Sequence, residues 1–185
     1  MDPSDEYELI VKARNDPDAF GKLYERYVER IYRFAYLRNH DEALAKDITS
    51  ATFEKALRHI QHYQWHGLSF GAWLYRIARN EIAQHQRRFF LPLPNRVPGD
   101  FDIERIAQAH QQHEALFAAL IRLSHADREL ITLRYLDDLS SAEVAEILGC
   151  SVNNVYRRLY RALGRLRQKL ELLESSEVIY VQEEC

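Results

Sequence analysis

At 185 residues and 46% apolar, the chain has room for one domain or two small ones of about 80 residues each, and too much apolar content for wholesale disorder. Two distant cysteines, Cys150 and Cys185, exclude a disulfide framework or a C-x-x-C site, and a net charge of −3 excludes a globally basic polyanion binder. No apolar run reaches the ~18 residues of a membrane span and the acidic start is no signal peptide, so the expectation is a cytoplasmic protein without membrane insertion.

Leu, Ala, Arg and Glu recur at helical spacing and only six Gly and five Pro are present, which predicts an all-α fold. The first helix is expected from Asp16-Pro17, an N-cap followed by a proline suited to the first turn. Phe20, Leu23, Tyr24, Tyr27, Ile31 and Phe34 follow at spacings of 3, 4 and 7, giving one buried face. A second helix is expected over 41–60 and a third over 70–88. Between them, residues 61–69 (Gln-His-Tyr-Gln-Trp-His-Gly-Leu-Ser) are too aromatic for an ordinary solvated turn. Gly67 permits a bend there and Ser69 can cap the next helix.

In that third helix Phe70, Trp73, Leu74, Ile77, Ala78 and Ile82 share one face, while Arg76, Arg79, Asn80, Ala83 and Arg87 share the other. Cations beside an aromatic loop suit unpaired bases, because rings offer stacking platforms and cations track the backbone. Residues 91–100 then hold three prolines and a glycine, which predicts an extended linker and two domains with no fixed mutual arrangement.

Beyond the linker, Ser140 and Glu143 form a capping box. Val144, Ala145, Ile147 and Leu148 supply an apolar face, and Gly149 closes the helix. Cys150 fills a turn and Ser151 starts a second helix with Val155, Leu159, Ala162, Leu163, Leu166 and Leu170 on one stripe. Asn153, Arg157, Tyr160, Arg161, Gly164 and Gln168 fall opposite. This is a helix-turn-helix whose outer face carries the amide and guanidinium groups that read base edges in a major groove.

Charge is strongly segregated. Residues 152–170 contain five Arg and one Lys with no acid, whereas the first eleven residues and those from 171 onward are acidic without a base. Such a pattern suggests a localised polyanion site, with acidic ends that could fold back upon it. His59, His62 and His66 stand at spacings of 3 and 4, but no nearby cysteine completes a common zinc set, so no metal is expected. Neither a phosphate-binding loop nor a nucleophile elbow is present, so no enzyme is expected.

Together the two blocks resemble the extracytoplasmic-function (ECF) sigma factors from about Phe20 to Leu170. The likeness rests on Phe20-Gly-Lys-Leu-Tyr-Glu-Arg-Tyr27, Asp47-Ile48 with Thr52-Phe53-Glu-Lys-Ala-Leu57, Ala72-Trp-Leu-Tyr-Arg-Ile-Ala-Arg-Asn80, Leu130-Ile-Thr-Leu-Arg-Tyr135 and Leu139-Ser-Ser-Ala-Glu-Val-Ala-Glu-Ile-Leu-Gly149. The resemblance implies a region 2-like domain over 1–90, a linker over 91–110, a region 4-like helix-turn-helix domain over 111–173 and an acidic tail over 174–185.

It further implies a transcription initiation factor with core RNA polymerase (β′ clamp and β flap), promoter DNA and an anti-sigma factor as partners, and no cofactor. By position, Asp47, Thr52, Phe53 and Lys55 would face the polymerase. Trp65, Arg76, Arg79, Asn80, Arg87 and Arg88 would hold the −10 strand, with Trp73 anchoring its helix in the core. Asn153, Asn154, Tyr156, Arg157, Arg158 and Arg161 would read the −35 duplex. The alternative is a helix-turn-helix repressor binding duplex DNA as a dimer, which leaves the first block unexplained.

Overall fold

The computed structural model describes residues 3–65, 67–88 and 114–182, and among them the regular structure is helical. The first half holds α1 (Pro3–Ala13), α2 (Pro17–Asn39), α3 (Glu42–His59), a short 3-10 turn (Ile60–His62) and α4 (Phe70–Arg88). The second holds α5 (Glu114–Ile121), α6 (His125–Ile131), a π-helical turn (Thr132–Leu136), α7 (Ser141–Leu148) and α8 (Val152–Gln182). The linker over 91–110 lies outside the described residues.

Local chemistry sets the helix ends. The Asp16 carboxylate accepts from the Asp18 amide at 2.9 Å with Pro17 in the first turn, and Asp41 accepts from the Leu44 amide at 2.9 Å to start α3. The expected Ser140–Glu143 capping box is formed in full, and Gly149 closes α7 in the left-handed region at φ 63°. Ser69 accepts from the Ala72 amide at 3.3 Å, and Gly67 bends the loop before it at φ 78°.

Three features depart from the sequence reading. First, the acidic amino-terminal stretch, expected only as an end that could fold back on the basic helices, is a helix, α1, packed on the bundle. Ile10 and Ala13 are buried, as is Glu6, whose carboxylate accepts from the Tyr27 hydroxyl and from the Phe70 amide at 3.1 Å. A buried acid in the anchoring stripe hides this helix from any search for apolar periodicity. Second, α8 continues to Gln182, where the expectation placed a loosely held tail after Leu173. No Gly or Pro occurs after Gly164, so nothing in the backbone chemistry stops the helix.

Third, the halves are docked, contrary to the expectation of independent domains. Leu130, Leu133, Leu139, Val144, Ala145, Ile147, Val155 and Leu159 join the residues of α1–α4 in one continuous core. A smaller cluster of Ala119, Leu120, Leu123, Ile131, Ala162 and Leu166 lies within the second half.

Polar contacts reinforce the docking. The Arg33 guanidinium meets the fully buried Asp137 carboxylate. Glu129 on α6 receives Arg38 of α2 at 3.0 Å and Arg79 of α4 at 3.2 Å. Arg128 donates to the Leu37 carbonyl and to His40 Nε2 at the end of α2. Burial, then the Arg128 cation, pushes the His40 imidazole down to about 4 from its ordinary 6.5. His125 is pushed down by burial and by Arg128 and Arg38, against an opposing pull from Glu129.

A folded-state value below the unfolded one means the unfolded chain takes up a proton that the native state refuses. This contribution to stability is therefore full above about pH 6.5 and is lost as pH falls toward 4. Urea midpoints should drop across that window. His40→Asn, which tolerates the φ of 54° at this position, should flatten part of the slope, with His125 retaining the remainder. An unchanged slope in the variant would exclude His40 as a source.

Candidate nucleic-acid interface

Two surfaces carry the cations singled out by sequence. The first surrounds the loop between α3 and α4. A cleft of about 660 Å³ opens there, lined among others by His62, Tyr63, Gln64, Trp73 and Arg76 of the first half and Glu146 of α7. The Tyr63 ring packs against Trp73 at 4.8 Å, tilted by 47°, and edge-to-face against Phe70 at 5.6 Å, so one cleft wall is backed by an aromatic cluster. Trp73 also meets Phe70 at 5.3 Å and is half-buried, in line with an anchoring role.

The six residues expected to hold a −10 strand are treated differently by the fold. Asn80 is exposed on the outer face of α4. Arg76 is exposed but pairs with Glu146 at 2.6 Å, and Arg79 pairs with the buried Glu129 while approaching the Ile147 carbonyl at 3.5 Å. The Arg76–Glu146 pair is solvated on both sides and contributes little, about 0–1 kcal/mol. Glu129 is the stronger tie because its carboxylate is buried and held by two guanidinium groups. Trp65 does not line the cleft; its ring meets Tyr7 of α1 edge-to-face at 5.9 Å. The side chains of Arg87 and Arg88 lie outside the described residues.

Sequence reasoning missed a contact by which one acid ties the two halves together. Glu143 Oε2 accepts from the Ser140 amide and hydroxyl at 2.8 Å within the capping box. Its other oxygen accepts from the Ser69 amide at 3.0 Å and from the Ser69 hydroxyl, at the start of α4. One carboxylate thus caps two helices from different halves. Burial pushes this carboxyl up, but the hydrogen bonds from Ser69 and Ser140 outweigh it and hold the group below the usual carboxylate range. The capping-box pattern was visible in sequence, whereas the second helix end was not.

The second surface is the amino-terminal half of α8. Val155, Leu159, Ala162 and Leu166 are buried as predicted, while Leu163 is 37% exposed. Ser151 caps the helix by accepting from the Asn154 amide at 3.3 Å. Asn153, Tyr156, Arg157 and Arg161 are exposed, and Asn154 and Arg158 are half-buried along the flank. Tyr160, on the same face between Arg157 and Arg161, is 83% exposed. Arg165 belongs to the scaffold: it forms a bidentate pair with Asp127 at 2.7 and 2.8 Å, fixing α6 to α8.

Of the residues expected to meet polymerase, Asp47 is exposed and Lys55 is half-buried against Glu81 at 2.5 Å. Thr52 and Phe53 face inward instead. The Thr52 hydroxyl donates to the Ile48 carbonyl at 2.7 Å, and the Phe53 ring packs on Tyr24 at 4.7 Å. Burial of both side chains removes them from any surface contact here, because this stretch of α3 turns its apolar stripe to the core. Among the described residues no helix is long and apolar enough to cross a membrane.

Comparison with known proteins places both halves. The Sigma-70 region 2 family matches residues 23–88 and the Sigma-70 region 4 family matches residues 113–166. The ECF RNA polymerase sigma factor BldN of Streptomyces coelicolor is 38% identical over 176 residues, which cover 88% of this chain and 65% of that protein. The chain therefore spans just under two thirds of that relative's length. The RNA polymerase sigma factor SigV of Bacillus subtilis is 32% identical over 140 residues, covering 74% of this chain and 81% of that one. The structure of CnrH in complex with the cytosolic domain of CnrY is 26% identical with a TM-score of 0.68, over 90% of this chain and 97% of that one. Both regions in sigma-factor order, and a relative above 30% identity covered over most of its length, establish that the chain belongs to the ECF RNA polymerase sigma factors.

Proposed function

We propose that this chain binds core RNA polymerase and brings it to promoters carrying a −10 and a −35 element, with the cleft beside α4 taking the unpaired −10 strand and α8 reading the −35 duplex. The observation that carries this reading is the pairing of two unlike surfaces in one chain. One is an aromatic-walled cleft lined by Arg76, with Asn80 exposed further along α4; the other is a helix-turn-helix whose exposed face presents Asn153, Arg157, Tyr160 and Arg161. Rings and cations in a cleft suit single-stranded bases, and amides with guanidinium groups on a helix suit base edges in duplex. Thr52 and Phe53 act in this reading by holding α3 in place, leaving Asp47 and Lys55 to meet the polymerase.

Arg76 and Arg79 are engaged by Glu146 and Glu129 in the docked state, so use of both surfaces requires the halves to part. Docking on polymerase would hold them at the promoter spacing and add avidity without further contacts to DNA. An anti-sigma partner that occupies these faces in the resting state completes the proposal, in keeping with the family; the similar CnrH was captured with the cytosolic domain of CnrY.

The test is reconstitution with core polymerase on fragmented genomic DNA, followed by mapping of transcript starts. Discrete starts sharing two upstream elements are expected. Absence of starts, with no co-elution with core enzyme and dimers on palindromic duplex, would overturn the reading in favour of a repressor.

A further inference from the structure

The loop over 60–69, which supplies Tyr63, Gln64 and Leu68 to the cleft, is fastened along its length by an element that precedes the matched region 2 segment. At its start, the Gln61 side-chain Nε2 donates to the Arg14 carbonyl just after α1. At its middle, the Arg14 guanidinium donates to the Tyr63 carbonyl at 2.8 Å, and the Tyr7 ring meets Trp65 at 5.9 Å with an interplanar angle of 69°. At its end, the buried Glu6 carboxylate accepts from the Phe70 amide, the first N–H of α4. Glu6 is itself held by the Tyr27 hydroxyl and lies 3.8 Å from Arg26.

We propose that α1 is a positioning splint for this loop, and that Tyr7, acting through Trp65 and aided by Arg14, sets which −10 bases the cleft accepts. This rests on the reading of the cleft as the −10 site. In it Trp65 is an anchor and not a stacking platform for DNA. Its ring is turned to α1, while its neighbours Tyr63 and Gln64 line the cleft. A ten-residue loop with Gly67 at positive φ would otherwise sample several conformations, and each would present a different wall to a base. Tyr7 suits the role of a tuner better than that of a core residue, since it is 47% exposed and its removal leaves Ile10, Ala13 and Glu6 in place to hold α1.

The experiment compares wild type, Tyr7→Ala, Tyr7→Phe and Arg14→Ala, each as full chain with core polymerase, on a promoter recovered by start-site mapping and on its single-base −10 and −35 variants. Tyr7→Ala should narrow the preference for the best −10 base by about two- to tenfold, the range one edge-to-face aromatic pair supplies. Tyr7→Phe should restore that preference and discrimination at −35 should stay unchanged. Amide exchange over 61–69 should quicken in Tyr7→Ala and Arg14→Ala while α2 and α3 keep their protection. Equal losses at −10 and −35, or unchanged −10 preference with wild type active, would overturn the splint alone. A wild-type chain that starts no transcripts would instead overturn the underlying reading of the cleft, and the splint's role with it.

Discussion

Arg128→Met should destabilise the protein by about 3 kcal/mol or more in urea unfolding. Arg128 is 5% exposed and holds three backbone carbonyls beyond the reach of helical partners: Leu37 at the end of α2, and Ile121 and Leu123 at and after the end of α5. Burial, reinforced by the neighbouring Arg38 cation, lowers this guanidinium to about 10, so keeping the charge there is itself unfavourable and its removal gives some relief. The relief is outweighed because methionine fills much of the volume yet donates nothing. Each buried carbonyl left without a donor costs about 1–3 kcal/mol.

Arg128→Lys distinguishes charge from geometry. One ammonium cannot span two helix ends as a planar fork does, so it should recover less than half of the loss. A change below about 1 kcal/mol in the methionine variant would mean that other donors replace the guanidinium, and would remove Arg128 from the account of docking.

Arg157→Ala should leave folding stability within about 0.5 kcal/mol, since the side chain is exposed on the outer face of α8. It should weaken binding to the −35 duplex by about 1–3 kcal/mol, with the loss concentrated at one base position. Competition binding against a panel of singly substituted −35 duplexes reads this directly. Uniform weakening across the panel, with the salt dependence reduced by about one counterion, would make Arg157 a phosphate contact and move base reading to Asn153, Tyr160 or Arg161.

The second result bears on how the docked halves relate to function. The face of α8 that carries Arg157 is exposed in the docked state, whereas Arg76 and Arg79 are tied to Glu146 and Glu129. In the proposed reading the helix-turn-helix surface would meet duplex while the halves are docked, whereas Arg76 and Arg79 would be released to the −10 strand only when they part. The docking ties differ in strength. The Arg76 pair is solvated, while Glu129, Asp137 and Arg128 are buried and costly to leave without partners.

Short-range rules carried the sequence reading a long way. Capping residues and glycine placed the start of α2 and the bounds of α3, α4 and α7 to within a residue or two, because Asp16, Asp41, Ser69, Ser140 and Gly149 act on backbone groups within a few positions of themselves. Helical spacing assigned most of the buried stripes. In α4 Phe70, Leu74, Ala78 and Ile82 are buried, while Trp73 and Ile77 are half-buried and buried Ala72 and Tyr75 were not expected. In α8 only Leu163 and half-buried Leu170 depart, and the outward face bearing Asn153, Arg157 and Arg161 is as expected. Periodicity reports which residues share a face and leaves open what that face meets.

Everything decided by contacts between distant segments had to come from the tertiary structure. Glu6 reads as one of several acids in a polar end until Tyr27 and the Phe70 amide close around it. Thr52 and Phe53 carry a family signature, yet α3 turns them inward. Trp65 looks like a ring awaiting a base until Tyr7 reaches it from α1. Glu143 is legible as a cap for its own helix and not as the acceptor for Ser69, 74 residues away. The sequence alone marked where α2, α3, α4 and α7 start and which face of α8 turns outward, because those follow from backbone hydrogen bonding and a 3.6-residue period, while it left α1 unseen and stopped α8 nine residues short. Which polar groups face water and which are consumed inside was decided only when the two halves buried a common core, because desolvation makes an isolated charge too costly to leave without a partner.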